Sequence, residues 1–178
     1  TSGSDWSEIF VRDVNTGKDL GDRVRWVKFS GMAWLKDGSG FFYSRYPAPA
    51  SERRLLAENK DQALYFHQVG TAQTEDRLVY SPANRSWFIN GDVTEDRHYL
   101  LLYINESTDP TNRLYYVDLT KGGAPGSGSV VKMLDAYDAQ YTVVGSVGTR
   151  LFVLTNKNAP KRRIVAIDTR NPAPAAWR

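Results

Sequence analysis

The chain contains no cysteine, which removes disulfide staples, thiolate metal sites and a cysteine nucleophile together. Histidine is almost as scarce, with two in 178 residues. Neither His67 nor His98 has a local serine partner, so both read as structural or solvated rather than catalytic. No His or carboxylate cluster has metal-ligand spacing, and no metal or cofactor is expected. A G-x-S-x-G nucleophile elbow is missing as well, since "GSGSV" from Gly126 has the wrong spacing. No catalytic residue is therefore assigned to this chain. Long apolar runs are lacking too: none approaches the roughly 18 residues that suggest a membrane span. The first residues, "TSGSDW", have neither the basic start nor the apolar centre of a secretory signal. Charge of one sign is not in marked excess. The net charge is +3, and the densest basic stretch, Lys157 to Arg163, reads as a solvated loop rather than a nucleic-acid surface. Neither nucleic acid nor a membrane is an expected partner.

Helical periodicity is nearly absent. One segment, "SERRLLAENKDQA" from Ser51, is rich in helix formers but lies between strand-like runs, as a loop with a turn or two of helix. What fills the chain instead is a β-rich repeat. The segments "ALYFHQVGT" from Ala63, "RLYYVDLTK" from Arg113 and "RIVAIDTRN" from Arg163 superimpose, with Leu64, Leu114 and Ile164 recurring at a spacing of 50. Ahead of them lie "GFFYSRY", "YLLLYIN" and "RLFVLTN". The pairs Asp37-Gly38, Glu95-Asp96 and Val147-Gly148 before these runs suit tight antiparallel connections. Further upstream come "GMAWL", "WFINGDV" and "YTVVGSV", while "DRLVY" and "VVKML" follow the first two units.

Each unit is thus four short strands, A to D, in about 50 residues, the length and strand count of a propeller blade. The expected fold class is all-β, a fragment of a β-propeller with four-stranded antiparallel blades. The expected division is residues 1–30 as the end of a blade, 31–80 and 81–136 as blades, and 137–178 as an incomplete blade. In the partial blade at the start, strand C is placed from Trp6 and strand D from Arg23. A chain divided this way reads as cut from something larger.

The stretches "SGSDWSEIFVRDV", "RVRWVKFSGMAWLKDGSGFFYSRYP", "LYFHQVGTAQTEDRLVY" and "STDPTNRLYYVDL" resemble, in order, segments of the propeller in prolyl oligopeptidase, of the S9 group of serine peptidases. The resemblance is strongest from Ser2 to Leu119. It implies a seven-bladed propeller capping an α/β-hydrolase domain of the same polypeptide, which carries a Ser-His-Asp triad and cleaves short peptides after proline. On that reading the partners are the hydrolase domain and short proline-containing peptides, and this chain alone is inactive. Two non-peptidase readings stand beside it: a propeller scaffold for other proteins, whose usual "GH…WD" or double-glycine signatures are missing, and a glycan-binding propeller, which would also explain surface aromatics.

Strand alternation in an A-B-C-D meander sends the D-to-A and B-to-C connections to one end of every blade. That face receives Phe29 and Ser30, Asn84 to Phe88, the loop Pro47 to Gln62, Asn105 to Asn112, and Lys157 to Arg162. The resemblance implies peptide contact at matching motifs there: Phe29 in "VKFS", Phe88 in "SWF", Thr108 in "STDP" and Asn105 three residues before it. Animal members usually carry methionine, cysteine and arginine at the last three, which leaves the polarity of the subsite specific to this chain. The charged loop Pro47 to Gln62 is expected to gate peptide entry. Trp34, Phe41 and Tyr43 alternate on strands near the blade centre and are expected to pack between blades.

Overall fold

A computed structural model describes residues 5–49, 59–121 and 130–178. The described residues form thirteen strands, β1 (Ser7–Arg12), β2 (Asp19–Val27), β3 (Met32–Trp34), β4 (Gly40–Arg45), β5 (Ala63–Gln68), β6 (Arg77–Tyr80), β7 (Phe88–Val93), β8 (Tyr99–Asn105), β9 (Arg113–Asp118), β10 (Val131–Leu134), β11 (Tyr141–Val147), β12 (Arg150–Thr155) and β13 (Arg163–Asp168). Four antiparallel sheets follow one another along the chain: β1-β2, β3-β4-β5-β6, β7-β8-β9-β10 and β11-β12-β13. The two central sheets are the four-stranded meanders that the repeat predicts. Helix is confined, among the described residues, to three 3-10 turns at Gln73–Glu75, Leu119–Lys121 and Pro174–Ala176.

A strand buried on both faces loses the usual alternation and reads as a continuous apolar run. β8, "YLLLYIN", shows why. Leu100, Leu102 and Ile104 face Phe42, Leu64 and Phe66 of the second sheet, while Tyr99 and Leu101 face Leu151, Val153 and Ile167 of the fourth. The sheets therefore stack side by side, with one apolar core in each of the three gaps. Phe41 and Tyr43 fill the first gap with Val24 and Val27, and Trp34 packs against them, as the alternation predicts. The outermost faces stay bare: Phe10 on β1 is 60% exposed, and Ile164 on β13 is 60% exposed.

The connections depart from the sequence reading in two ways. Only β11 and β12 are joined by a two-residue turn, with Gly148 at φ 58°. The loops β3–β4 and β7–β8 are longer, closed by Leu35 N–H to Gly40 O (3.0 Å) and Thr94 N–H to Tyr99 O (3.0 Å). In the latter the left-handed residue is Arg97 (φ 62°) rather than Glu95 or Asp96, because the turn runs one position further before the chain reverses. β2 also starts earlier than Arg23, at Asp19, since the Arg12–Asp19 ion pair (2.6 Å) extends the hairpin beyond its apolar part. Residues 50–58, which hold most of the segment from Ser51 that is rich in helix formers and most of the loop Pro47 to Gln62, lie outside the described residues, as does the glycine-rich stretch around Gly126; the end of that segment, residues 59–63, is not helical and leads into β5.

Candidate functional site

Register determines which residues meet at the end of the sheets where D-to-A and B-to-C connections emerge. Arg45 at the end of β4 lies opposite Ala63 at the start of β5, and Phe88 at the start of β7 lies opposite Asn105 at the end of β8. Hydrogen bonds between sheets then tie these ends together. Ser44 Oγ donates to the Ile89 carbonyl (2.6 Å), crossing from the second sheet to the third. At the next junction the Asn112 side chain accepts from Tyr141 N–H (2.8 Å) and donates to the Tyr141 carbonyl (3.2 Å), crossing from the third sheet to the fourth.

Phe29 sits in the short link between β2 and β3. It is 60% exposed and its backbone is left-handed, at φ 52°. A bulky residue at positive φ is a conformational outlier, and an aromatic with so much exposed surface gains little from packing. The residues before it behave in the opposite way: Val27 and Lys28 are buried, and Lys28 Nζ lies 4.1 Å from the Trp6 ring and donates to Asn59 (3.1 Å). Phe88 is half-buried and paired with Asn105. The Asn105 side chain donates to the Thr111 carbonyl (2.8 Å), closing the loop that follows β8. Within that loop Asp109 accepts from Thr111 N–H (2.8 Å), so "DP" starts a turn; contacts with Thr111 hold its carboxyl below the ordinary range. Thr108 is exposed on the same loop. The structure thus brings Phe88 and Asn105 side by side, and places Phe29 and Thr108 on connections of neighbouring sheets.

Sequence reasoning missed several residues that build this end. Gln62, only 1% exposed, donates from Nε2 to the Lys28 carbonyl (3.1 Å) and accepts at Oε1 from Ile89 N–H (2.8 Å). Gln62 and Asn112 stand two residues before the repeating Leu64 and Leu114, so the repeat held the signal. Arg113 is stacked on Trp87 (4.0 Å) and near Tyr137 (5.2 Å), and pairs with Glu106 (2.5 Å) of the loop bearing Thr108. Arg85 and Asp61 pair at 2.6 Å, which lowers the Asp61 pKa. Trp6, Trp26 and Tyr46 form an edge-to-face cluster, and burial pushes the Tyr46 phenol up to about 12.

Neither histidine belongs to this end. His67 is fully buried near the far end of β5, with Nδ1 2.7 Å from Asp76 and Nε2 3.0 Å from Asp22. His98 lies in the β7–β8 turn, 3.4 Å from Asp96. His67 is structural: it joins the first sheet, through Asp22 on β2, to the second.

The sequence profile of the family described as "Prolyl oligopeptidase, N-terminal beta-propeller domain" matches residues 1–178. The chain is 34% identical over 188 residues to prolyl oligopeptidase A of Amanita bisporigera, covering 96% of this chain and 25% of that protein. It is 34% identical over 177 residues to the prolyl endopeptidase of Elizabethkingia miricola, covering 99% of this chain and 24% of that protein. The solved structure of prolyl oligopeptidase B from Galerina marginata, bound to a 35mer hydrolysis and macrocyclization substrate, superimposes with a TM-score of 0.84 at 32% identity. That match covers 95% of this chain and 25% of that one. The chain thus spans about a quarter of the length of these relatives. Four successive antiparallel sheets, the unbroken family match and the shared architecture place this chain in the prolyl oligopeptidase family, as part of its N-terminal β-propeller domain.

Proposed function

We propose that this chain is the substrate-access part of a serine endopeptidase that hydrolyses short peptides on the C-terminal side of proline, the chemistry being done by an α/β-hydrolase domain of the same polypeptide. Phe29, Phe88, Asn105 and Thr108 form the peptide-contacting patch, and the loop Pro47 to Gln62 gates entry. The blades on this reading are residues 31–80 and 81–136, with residues 1–30 as the end of one and 137–178 as an incomplete one. The observation that carries the reading is Phe29: an aromatic ring 60% exposed on a left-handed backbone, directly after the buried Val27 and Lys28. Holding a bulky side chain in that conformation costs on the order of 1 kcal/mol, and a ring left 60% exposed recovers little of it by packing among the described residues, which is the pattern of a residue kept for a ligand. A ring so placed can cover apolar surface of a peptide side chain upstream of the proline. Asn105, already bonded to Thr111, supplies a fixed amide beside Phe88 rather than a mobile one.

On this reading the nucleophile and its base belong to the hydrolase domain, and the 178-residue chain by itself is inactive. The test uses the full-length protein that carries this chain. It should cleave a peptide containing one proline directly after that residue, and leave the matched alanine peptide intact. Cleavage that ignores proline, or efficient cleavage by residues 1–178 alone, contradicts the proposal.

A further inference from the structure

We infer that Gln62 is a positioning residue for peptide binding: its single buried amide sets the placement of Phe29 relative to Phe88. The inference rests on the function proposed above. Its geometry does not. Lys28, whose carbonyl accepts from Gln62 Nε2 at 3.1 Å, immediately precedes Phe29; Ile89, whose N–H donates to Gln62 Oε1 at 2.8 Å, immediately follows Phe88. One planar amide therefore spans the two backbone segments that bear the rings, and both of its functional ends are occupied. The side chain is 1% exposed, so water cannot take over either bond when it is lost.

Two further bonds close the same linkage. Ser30, next after Phe29, accepts from Ser44 N–H at its Oγ (2.8 Å), and Ser44 Oγ donates to the Ile89 carbonyl (2.6 Å). The Ile89 peptide is thus gripped at both its N–H and its carbonyl, by Gln62 and by Ser44. Neither bond is a ladder bond of the third sheet. Gln62 stands just before β5, at the end of the B-to-C connection of its own sheet. The comparable amide, Asn112, bonds to Tyr141 and to the carbonyl of its own neighbour Arg113, so it reaches one other segment where Gln62 reaches two. The arrangement at Gln62 goes beyond a general rivet between sheets.

The experiment compares Gln62→Met with wild type in the full-length protein. Methionine fills a similar volume but neither donates to Lys28 nor accepts from Ile89. The expected result is about a tenfold higher KM for peptides long enough to reach Phe29, with kcat, and all constants for a minimal proline substrate, within about twofold. Amide exchange at Ile89 should quicken about tenfold in the same variant. Ile167→Val, a core change in the fourth sheet, serves as the stability control and should show no dependence on substrate length. Equal losses on long and short substrates, or an unchanged KM for the long one, overturn the inference. Gln62→Glu, which keeps the acceptor and loses the donor to Lys28, covers the case in which the methionine variant does not fold; it too must raise KM for the long substrate alone. If the wild-type protein does not cleave after proline, the functional reading fails by itself, and Ile89 exchange still shows whether Gln62 holds the linkage: unchanged exchange overturns that as well.

Discussion

His67 shows how much one side chain can hold when the sheets around it cannot. Both ring nitrogens face carboxylate oxygens, Asp76 at 2.7 Å and Asp22 at 3.0 Å, with no exposed surface on any of the three side chains. Asp76 also accepts from Tyr43 Oη (2.5 Å), and burial together with that bond raises the Tyr43 pKa well above its ordinary value. Asp22 further accepts from Gly70 N–H (2.5 Å). Removing the imidazole leaves these two buried acids with one of these donors each, the Tyr43 hydroxyl on Asp76 and Gly70 N–H on Asp22, and a carboxylate so poorly paired in so dry a place is costly. His67→Ala is expected to destabilise the protein by about 3 kcal/mol or more, measured by chemical denaturation, with the loss recovered in large part by adding Asp22→Asn and Asp76→Asn. A loss below about 1 kcal/mol would show that water or a rearranged neighbour replaces the ring. The sequence located His67 on a strand and read it as structural or solvated rather than catalytic, but its partners lie 45 and 9 positions away. Nothing in a linear reading pairs Asp22 with it.

At the scale of strands the sequence was legible wherever period and composition agreed. β8, β9 and β12 follow directly from apolar runs, and the spacing of 50 between Leu64, Leu114 and Ile164 marks equivalent places on β5, β9 and β13. Turns were harder, because loop length and the position of a left-handed residue depend on closing bonds such as Thr94 N–H to Tyr99 O, which composition does not encode. The close approach of β4 and β5 was not legible either. A Cβ on Gly40 would stand 2.4 Å from the His67 carbonyl and 2.4 Å from the Phe66 ring. No rotamer relieves contact with a backbone oxygen, so the strands must part. Gly40→Ala is expected to cost about 2 kcal/mol or more in thermal or chemical denaturation, against a change near zero for Gly21→Ala, where nothing lies within 4 Å. Equal tolerance at both glycines would contradict the packing described between β4 and β5.

For the molecule as a whole, the candidate site is a property of the stack rather than of any sheet. Phe29 enters the second sheet, while Phe88 and Asn105 open and close strands of the third; only the side-by-side arrangement puts them at one end. Strand alternation predicts that common end. The peptide role came from resemblance, and the bonds that would fix the patch, those of Gln62, Ser44 and Arg113, became visible only with side chains in place. The account is tested most directly by Phe29→Ala in the full-length protein, with kcat/KM measured on a proline peptide extended upstream and on a minimal proline substrate. Removing the ring should lower kcat/KM about tenfold for the extended peptide and leave the minimal substrate and the unfolding midpoint nearly unchanged. Equal losses on both substrates, or a fall in stability in place of a length-dependent effect, would mean that Phe29 supports the fold and that this end of the sheets does not read the peptide.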